Sequence, residues 1–194
     1  MTNVGVLDIQ GSVIEHFNIL KSIENVNPIR VKYKEDIKHI DGLILPGGES
    51  TTIGKLLKKF DIMDTLKKQI SKGMPVWGTC AGMILLAKKI VESENMHIGT
   101  MDIEVKRNAY GSQLDSFIIK KKIKEVSSKE IPMVFIRAPY INKVGNQVKI
   151  LKKYNDKIIA AREKNMIVTS FHPELTDDDS FHKYFIDVIK NYKI

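Results

Sequence analysis

Cysteine, arginine, aromatic residues and long hydrophobic runs are all scarce in this sequence. Cys80 is the only cysteine in 194 residues, so no internal disulfide can form and the fold does not require an oxidising compartment. The apolar runs, such as MILLA, fall far short of the ~20 residues that a membrane-spanning helix needs. The chain also opens without the charged and then apolar pattern of a signal peptide. We therefore expect a cytoplasmic protein.

The net charge of +8 raises the question of nucleic-acid binding. Nearly all of this charge comes from lysines spread along the chain, and the densest run is KKKIK at 120–124. Specific nucleic-acid readers depend on arginine forks and stacked aromatic rings, whereas aromatics make up only 7% of this chain. A solvated, lysine-rich surface is the better interpretation. Salt-dependent affinity for DNA or RNA would be the observation against it.

The first half of the chain alternates short apolar runs with amphipathic segments. No internal repeat or linker interrupts the sequence, so residues 1–194 are expected to form one domain. The predicted strands are VGVLDIQ (4–10), PIRVKY (28–33), GLILPGG (42–48) and PVWG (75–78). The predicted helices are SVIEHFNILKSI, TTIGKLLKKF, MDTLKKQISK and AGMILLAKKI. Nearly all-apolar strands that alternate with helices predict a parallel sheet covered on both faces.

The second half differs, because its strand candidates follow one another closely between Gly, Asn, Asp and Pro residues. These candidates are IGTMDIEV, SFIIKKKI, MVFIRAP, VKILKKY, KIIAARE and MIVTSFH. Their spacing suggests antiparallel additions to the sheet. An amphipathic helix over residues 180–194 closes the chain after an acidic run at 177–179. Together the two halves predict an α/β fold, a three-layer α/β/α domain with a mostly parallel central sheet.

The single cysteine lies where the strand PVWG is expected to turn into a helix, in the sequence GTCAG (78–82). The form G-x-nucleophile-x-G is that of a nucleophile elbow, in which small flanking residues permit a sharp, strained turn. Such a turn would hold Cys80 at the carboxyl edge of the sheet, where the following helix favours a thiolate. The N–H of Ala81 would then point at a tetrahedral oxyanion. The plainer alternative is a small, buried hydrophobic cysteine.

A base for this thiol is available at the end of another predicted strand, in the sequence SFHPEL. Pro173 biases His172 toward an extended backbone, and residues i and i+2 of an extended segment project to the same side. Glu174 can therefore reach the ring of His172, fix its tautomer and stabilise its cationic form. Cys80, His172 and Glu174 thus form a candidate Cys-His-Glu relay. Taken alone, HPE would also suit a turn that carries a surface His-Glu pair.

The turn PGGES (46–50) is expected at the same edge of the sheet. Gly47 and Gly48 lack side chains, so their N–H groups can approach a ligand closely. A phosphate cradle is disfavoured, because the P-loop pattern GxxxxGK(S/T) is absent and Glu49 would lie beside the anion. An oxyanion and substrate-carboxylate site is the second interpretation. A plain strand-to-helix turn, with Ser50 or Thr51 as the N-cap, is compatible with either.

Several motifs, in this order, resemble those of a known family. LPGGES, WGTCAG and SFHPE are similar to the motifs of class I, triad-type glutamine amidotransferases, which have a flavodoxin-like fold. A larger set resembles the narrower family of glutaminase subunits of pyridoxal 5′-phosphate synthase: VGVLDIQGSVIEH, PGGESTT, GTCAGMILLA, RNAYGSQ, FIRAP and SFHPELT. The resemblance runs from residue 4 to residue 176, which is nearly the whole chain.

This resemblance implies hydrolysis of L-glutamine to L-glutamate and ammonia. Cys80 would attack the side-chain amide, His172 would protonate the departing ammonia, and Glu174 would orient His172. A water activated by His172 would then hydrolyse the γ-glutamyl thioester. By the same similarity, Gly48 and Ala81 would form the oxyanion hole. The residues that would hold glutamine are Gly48, Glu49, Ser50, Arg107, Ile136 and Arg137.

The resemblance also implies a partner. Members of this family pass ammonia to a separate synthase subunit in a large ring-shaped hetero-oligomer, carry no cofactor or metal of their own, and are poorly active until the synthase docks. The segment around Gln10 and Gly11 is the expected docking region. Three positions depart from the family pattern, and none of them is expected to touch the triad: Asp8, Ser12 and Ser112.

Three alternatives remain open. The same triad could serve a γ-glutamyl peptidase or a glutaminase for another synthase, although the motif FIRAP argues against this. The chain could also be a binding module with a degenerate site, although all three triad positions hold competent residues. Arg107 and Arg137 suit the α-carboxylate of glutamine, but a structural salt bridge would use them equally well.

Overall fold

A ten-stranded mixed sheet forms the centre of the structure, a computed structural model that describes residues 1–93, 96–107 and 116–192. In chain order the strands are β1 (Thr2–Leu7), β2 (Val26–Val31), β3 (Gly42–Leu45), β4 (Val76–Thr79), β5 (Ala87–Ile90), β6 (Met101–Lys106), β7 (Ser116–Lys121), β8 (Ile131–Ile136), β9 (Tyr140–Val144), β10 (Lys149–Tyr154), β11 (Lys157–Glu163) and β12 (Met166–Thr169). β7 and β8 pair with each other in a separate antiparallel sheet.

One side of the large sheet is parallel and has the strand order β2-β1-β3-β4-β12. Every residue of β3, β4 and β12 is buried, as expected for strands that are covered on both faces. On the other side, β11, β9 and β6 add antiparallel pairs, and β10 pairs with β11. The predicted mixture of a parallel centre and antiparallel additions is therefore confirmed.

Helices cover both faces of the parallel strands. They are α1 (Val13–Ser22), α2 (Ser50–Lys59), α3 (Met63–Ser71), α4 (Ala81–Leu86) and α5 (Ser180–Tyr192). α1 and α5 pack on one face through residues such as Leu20 and Phe185. α2, α3 and α4 pack on the other face through residues such as Ile53 and Leu66. This is the predicted three-layer α/β/α arrangement.

Three local predictions were wrong. The helix expected over AGMILLAKKI ends at Leu86, because Ala87 is extended and begins β5, which runs parallel to β6. The segment MIVTSFH contributes β12, which is antiparallel to β11 but parallel to β4, so it belongs to the parallel side of the sheet and is not only an antiparallel addition. The segment SFIIKKKI supplies β7, which pairs with β8 outside the large sheet and stacks Phe117 on Phe135.

Four of the parallel strands end at the same edge of the sheet, where the candidate residues lie. The turn that contains Gln10 follows β1, and the PGGES turn follows β3. Cys80 follows β4, and His172 follows β12. In open α/β sheets this carboxyl edge is the usual place for a ligand. Within the described ranges, no helix is both long and apolar enough to cross a bilayer.

Candidate active site

Cys80 occupies a sharp turn between β4 and α4. Its backbone has a φ of 48° and a ψ of −99°, and its N–H donates to the carbonyl of Thr169 in β12 at 2.8 Å. Two glycines make the turn possible. A Cβ on Gly78 would collide with the backbone of Gly82, and a Cβ on Gly82 would collide with the carbonyl of Leu45. The turn has the geometry predicted for a nucleophile elbow.

His172 follows β12 and lines the same cavity as Cys80 at the edge of the sheet. The backbone N–H of His172 donates to the carbonyl of Val134 in β8 at 2.8 Å, which fixes the loop after β12. Pro173 begins a short 3-10 helix (Pro173–Leu175), so Glu174 lies in a helical turn and not on the extended segment that the sequence suggested. Nδ1 of His172 nevertheless lies 2.7 Å from Oε1 of Glu174, and both side chains are buried.

The protonation of these three side chains is set by their mutual contacts. Burial lowers the pKa of His172, but a hydrogen bond to the Cys80 side chain and the carboxylate of Glu174 raise it to about 10. Burial raises the pKa of Glu174, whereas His16, His172 and Ser12 together lower it to about 2. At neutral pH the ring of His172 is therefore an imidazolium between a carboxylate and the cysteine sulfur. In that state it can donate a proton.

Three side chains behind Glu174 were missed by the sequence analysis. Ser12 Oγ donates to Oε1 of Glu174 at 2.7 Å, so the expectation that the departure at Ser12 does not touch the triad is wrong. His16 of α1 is fully buried, and its Nε2 lies 3.5 Å from Oε2 of Glu174. His182 of α5 is also fully buried, and its Nε2 lies 2.9 Å from Nδ1 of His16. The only signal in the sequence was that both histidines lie on the apolar faces of their helices.

An open cavity of about 560 Å³ lies in front of Cys80 and His172. Its volume is within the range of small-molecule sites in proteins. The residues that were predicted to bind glutamine or to form the oxyanion hole all line this cavity: Gly48, Glu49, Ser50, Ala81, Arg107, Ile136 and Arg137. The structure therefore brings together, at one cavity, candidates from five separate segments of the chain.

The PGGES turn passes directly beside the imidazole of His172. A Cβ on Gly47 would collide with Cε1 of that ring. A Cβ on Gly48 would collide with Oε1 of Gln10, which also accepts a hydrogen bond from the N–H of Glu49 at 2.9 Å. Gly47 therefore needs to be glycine as long as the ring keeps its place, whereas a side chain at Gly48 would require the flexible end of Gln10 to move.

Glu49, rather than Ser50 or Thr51, caps α2. Its carboxylate accepts hydrogen bonds from the N–H groups of Thr51 at 3.0 Å and of Thr52 at 2.6 Å. These bonds, and above all the one from the Thr52 hydroxyl, lower the pKa of Glu49 to about 2. The carboxylate is thus fixed at the wall of the cavity, with both oxygens directed at the helix terminus.

Arg107 and Arg137 occupy different parts of the cavity wall. Arg107 follows β6, and its Nη1 lies 3.4 Å from Oγ1 of Thr51, while its buried Nε has no hydrogen-bond partner in the described part of the chain. Arg137 follows β8, has a φ of 41° and is exposed. Among residues 1–93, 96–107 and 116–192, neither arginine has a salt-bridge partner that would account for it.

Of the other two positions that depart from the family pattern, only Asp8 is described. Only Arg107 of the motif RNAYGSQ is described, because residues 108–115, and with them Ser112, lie outside the described residues. Asp8 pairs with Arg30 at 3.3 Å and with Lys32 at 3.5 Å, so its charge is balanced by β2 and the residue that follows it.

Comparison with known proteins agrees with this geometry. The sequence model of the SNO glutamine amidotransferase family matches residues 6–191. A Clostridium botulinum protein named pyridoxal 5′-phosphate synthase subunit PdxT is 63% identical over 98% of this chain and 100% of its own length. A Thermoanaerobacter protein of the same name is 57% identical over 94% of this chain and 97% of its own length.

Solved structures agree as well. A crystal structure of a glutamine amidotransferase matches with a TM-score of 0.90 and 39% identity, and it covers 96% of this chain and 98% of its own. PurLQS from Thermotoga maritima matches with a TM-score of 0.66 but only 17% identity, so it shows a shared fold alone. On the strength of the match over residues 6–191, the chain belongs to the SNO glutamine amidotransferase family.

Proposed function

We propose that this protein hydrolyses L-glutamine to L-glutamate and ammonia, with Cys80, His172 and Glu174 as its catalytic residues. One observation carries the proposal: the cysteine in the elbow shares one cavity wall with an imidazole whose Nδ1 lies 2.7 Å from a buried carboxylate. Membership of the glutamine amidotransferase family supports the same chemistry. A relative that is 63% identical carries the name of a pyridoxal 5′-phosphate synthase subunit.

The proposed reaction has two halves. The Cys80 thiolate attacks the side-chain amide carbon of glutamine, and the N–H groups of Gly48 and Ala81 stabilise the oxyanion that forms. The imidazolium of His172 protonates the amide nitrogen, so ammonia leaves and a γ-glutamyl thioester remains. Neutral His172 then removes a proton from water, which attacks the thioester and releases glutamate. Throughout, Glu174 holds the ring of His172 in the tautomer that directs Nε2 at the sulfur.

The cavity wall supports the binding of a free amino acid. Arg107 and Arg137 line it, and neither is neutralised by a carboxylate within the described ranges, so both suit the α-carboxylate of glutamine. The backbone of the turn from Gly48 to Ser50 also lines the cavity, beside His172. Ile136 completes the proposed glutamine site.

We further propose that the ammonia passes to a synthase subunit that makes pyridoxal 5′-phosphate. The relatives that are 53–63% identical are named as subunits of that synthase. Gln10 and Gly11 lie at the cavity, and Ile14 and Leu175 nearby are 59% and 41% exposed, which suits a docking surface there. A ring-shaped hetero-oligomer and a cytoplasmic location are part of this proposal and rest on the family resemblance and the composition.

Glutamate release from L-glutamine, measured with and without the synthase subunit of the same organism, tests the proposal. We expect strong stimulation by the partner and no hydrolysis by Cys80→Ala, which removes the sulfur but adds no bulk. Size-exclusion chromatography of the mixture tests the assembly. Hydrolysis that persists in Cys80→Ala would remove Cys80 from the mechanism. If the wild type releases no glutamate even with the synthase, the assignment of substrate or partner is overturned.

A further inference from the structure

The two oxygens of the Glu174 carboxylate have different surroundings. Oε1 accepts a hydrogen bond from Ser12 Oγ at 2.7 Å and lies 2.7 Å from Nδ1 of His172. Oε2 is buried and has no hydrogen-bond partner in the described part of the chain. Nε2 of His16 faces it at 3.5 Å, which is longer than an ordinary hydrogen bond. The second oxygen therefore depends on His16 for compensation of its charge.

The polar contacts continue from His16 into the interior between α1, α5 and the sheet. Nδ1 of His16 lies 2.9 Å from Nε2 of His182, and Nε2 of His16 lies 3.4 Å from Oγ1 of Thr79. The ring of Trp77 contacts both imidazoles edge-on, at centroid distances of 5.5 Å and 5.0 Å. A connected series of polar groups thus runs from Cys80 through the triad to a histidine on the last helix.

The contacts assign the protons of both histidines. Burial lowers the pKa of His16 and holds the pKa of His182 well below its usual value, so each ring is neutral and carries one N–H. The N–H of His16 belongs on Nε2, because a lone pair there would face the carboxylate of Glu174. Nδ1 of His16 is then an acceptor, and the N–H of His182 belongs on Nε2.

A second observation agrees with this assignment. Nδ1 of His182 is buried and has no partner among the described residues. With the N–H of His182 on Nε2, this atom is only an unused acceptor. The opposite tautomers would leave a buried N–H without an acceptor and direct a lone pair of His16 at Glu174. Both arrangements would destabilise the folded protein, because they leave polar groups unsatisfied in its interior.

We propose that His16 is a positioning residue of the catalytic triad: its Nε2–H holds the second oxygen of Glu174, and His182 fixes the tautomer of His16. The proposal rests on the proposed catalytic role of Cys80, His172 and Glu174. Without His16, the carboxylate would lose the group that faces Oε2 and could rotate about its terminal bond. Its hydrogen bond to His172 would then be held less firmly.

The consequence reaches the cysteine through His172. The titratable groups that face this series are Glu15 of α1, His182 of α5, and the triad residues themselves. Loss of the His16 N–H leaves Glu174 less able to stabilise the imidazolium of His172. The imidazolium beside Cys80 is then a weaker counter-charge, so the sulfur becomes a less reactive nucleophile.

The experiment follows the rate of alkylation of Cys80 by iodoacetamide at neutral pH. Because the chain has one cysteine, the signal reports on that site alone. We expect His16→Leu to slow alkylation of Cys80 at neutral pH by ~10-fold, the effect of losing one hydrogen bond to a charged group. We also expect kcat for glutamine to fall by ~10- to 100-fold with little change in KM. His16→Gln returns an N–H near the position of Nε2, so it should recover most of the wild-type alkylation rate and most of the wild-type kcat.

Asn165→Ala is the matched control for a loss of buried polar contacts. Nδ2 of Asn165 donates to the carbonyls of Ile70 at 3.0 Å and Met74 at 2.7 Å, at the opposite end of β12 from His172. This variant should lower the melting temperature without changing the alkylation rate of Cys80. It separates a positioning role of His16 from general destabilisation of the fold.

If His16→Leu is alkylated as fast as the wild type and has the same kcat, the proposal is overturned. If His16→Leu does not fold, His182→Phe replaces it, because it removes the N–H that fixes His16 but keeps a ring in the same space. An unchanged alkylation rate in that variant would also overturn the proposal. Slower alkylation in a protein that does not hydrolyse glutamine even with the synthase would support the role of His16 and reject the proposed substrate.

Discussion

Ser12 and Glu174 are 162 positions apart in the sequence, yet Oγ of Ser12 donates a hydrogen bond of 2.7 Å to Oε1 of Glu174. The same oxygen lies 2.7 Å from Nδ1 of His172. One carboxylate oxygen therefore serves both a serine from the loop after β1 and the catalytic imidazole. This contact connects the proposed docking region, which begins at Gln10, directly to the triad.

Ser12→Ala should lower stability more than activity. The variant removes one of two donors to Oε1, so we expect the free energy of unfolding to fall by about 1–2 kcal/mol, as for a hydrogen bond to a charged group. The bond to His172 remains, so kcat for glutamine with the synthase should fall by less than ~5-fold. Urea denaturation and glutamate release measure the two effects. A loss of activity as large as that of Glu174→Gln would contradict this division of roles.

Glu174→Gln should nearly abolish hydrolysis and leave the fold intact. The amide oxygen can still accept a hydrogen bond from His172, but the negative charge that stabilises the imidazolium is gone. We expect kcat to fall by ~10³- to 10⁴-fold, as when the carboxylate of other triads is neutralised. Alkylation of Cys80 at neutral pH should slow as well. Wild-type kcat in the folded variant would show that Glu174 does not act in the reaction.

The pH dependence of stability offers a separate test of the same carboxylate. The pKa of Glu174 is lowered from 4.5 to about 2 in the folded protein, so its contribution is fully present above pH 4.5 and is lost as the pH falls through 2. A shift of this size corresponds to about 3 kcal/mol. The unfolding free energy of the wild type should therefore drop more steeply between pH 4.5 and 2 than that of Glu174→Gln. Parallel curves would contradict the shift.

Gly47→Ala should impair catalysis by moving His172. A Cβ at this position would collide with Cε1 of the imidazole, so the ring must shift from its present position. We expect kcat to fall by ~100-fold, the cost of a displacement on the order of 1 Å in an active site. Glutamate release and Cys80 alkylation measure the effect.

Gly73→Ala is a suitable control for this glycine replacement. Gly73 has a φ of +106°, so alanine strains the backbone, but the new Cβ would meet only Cδ1 of Tyr192 at 4.0 Å. The control should lose stability and keep the wild-type kcat. If Gly47→Ala behaves in the same way as Gly73→Ala, the PGGES turn does not determine the position of His172.

The sequence predicted what depends on local patterns. The spacing of Gly78 and Gly82 around Cys80 indicated the elbow, because both close backbone contacts lie within a few residues of the turn or at the adjacent strand. The layers of the fold followed from the alternation of apolar strands with helices. The direction of β12 relative to β4 could not be predicted in this way, because a buried strand has the same apolar pattern whether its neighbour is parallel or antiparallel.

The surroundings of Glu174 were beyond local patterns. His16 and His182 meet across 166 positions, and each sits on a helix face whose other residues are apolar. Nothing in the spacing of either helix marks its histidine as the partner of the other. Likewise, Ser50 or Thr51 was expected as the N-cap of α2, whereas Glu49 caps it, because only the folded turn brings its carboxylate to the N–H groups of Thr51 and Thr52.

Arg137→Ala should raise KM for glutamine by ~10- to 100-fold and leave kcat nearly unchanged, because pairing with the α-carboxylate is equally strong before and during the reaction. Arg137→Lys keeps the charge but loses the planar fork, so its KM should lie between that of the wild type and that of Arg137→Ala. Arg162→Ala is the control. Arg162 donates hydrogen bonds to the carbonyl of Lys164 and the hydroxyl of Tyr184 and does not line the cavity. The KM of Arg162→Ala should therefore equal that of the wild type. An unchanged KM in Arg137→Ala would remove Arg137 from the glutamine site and leave the α-carboxylate to Arg107.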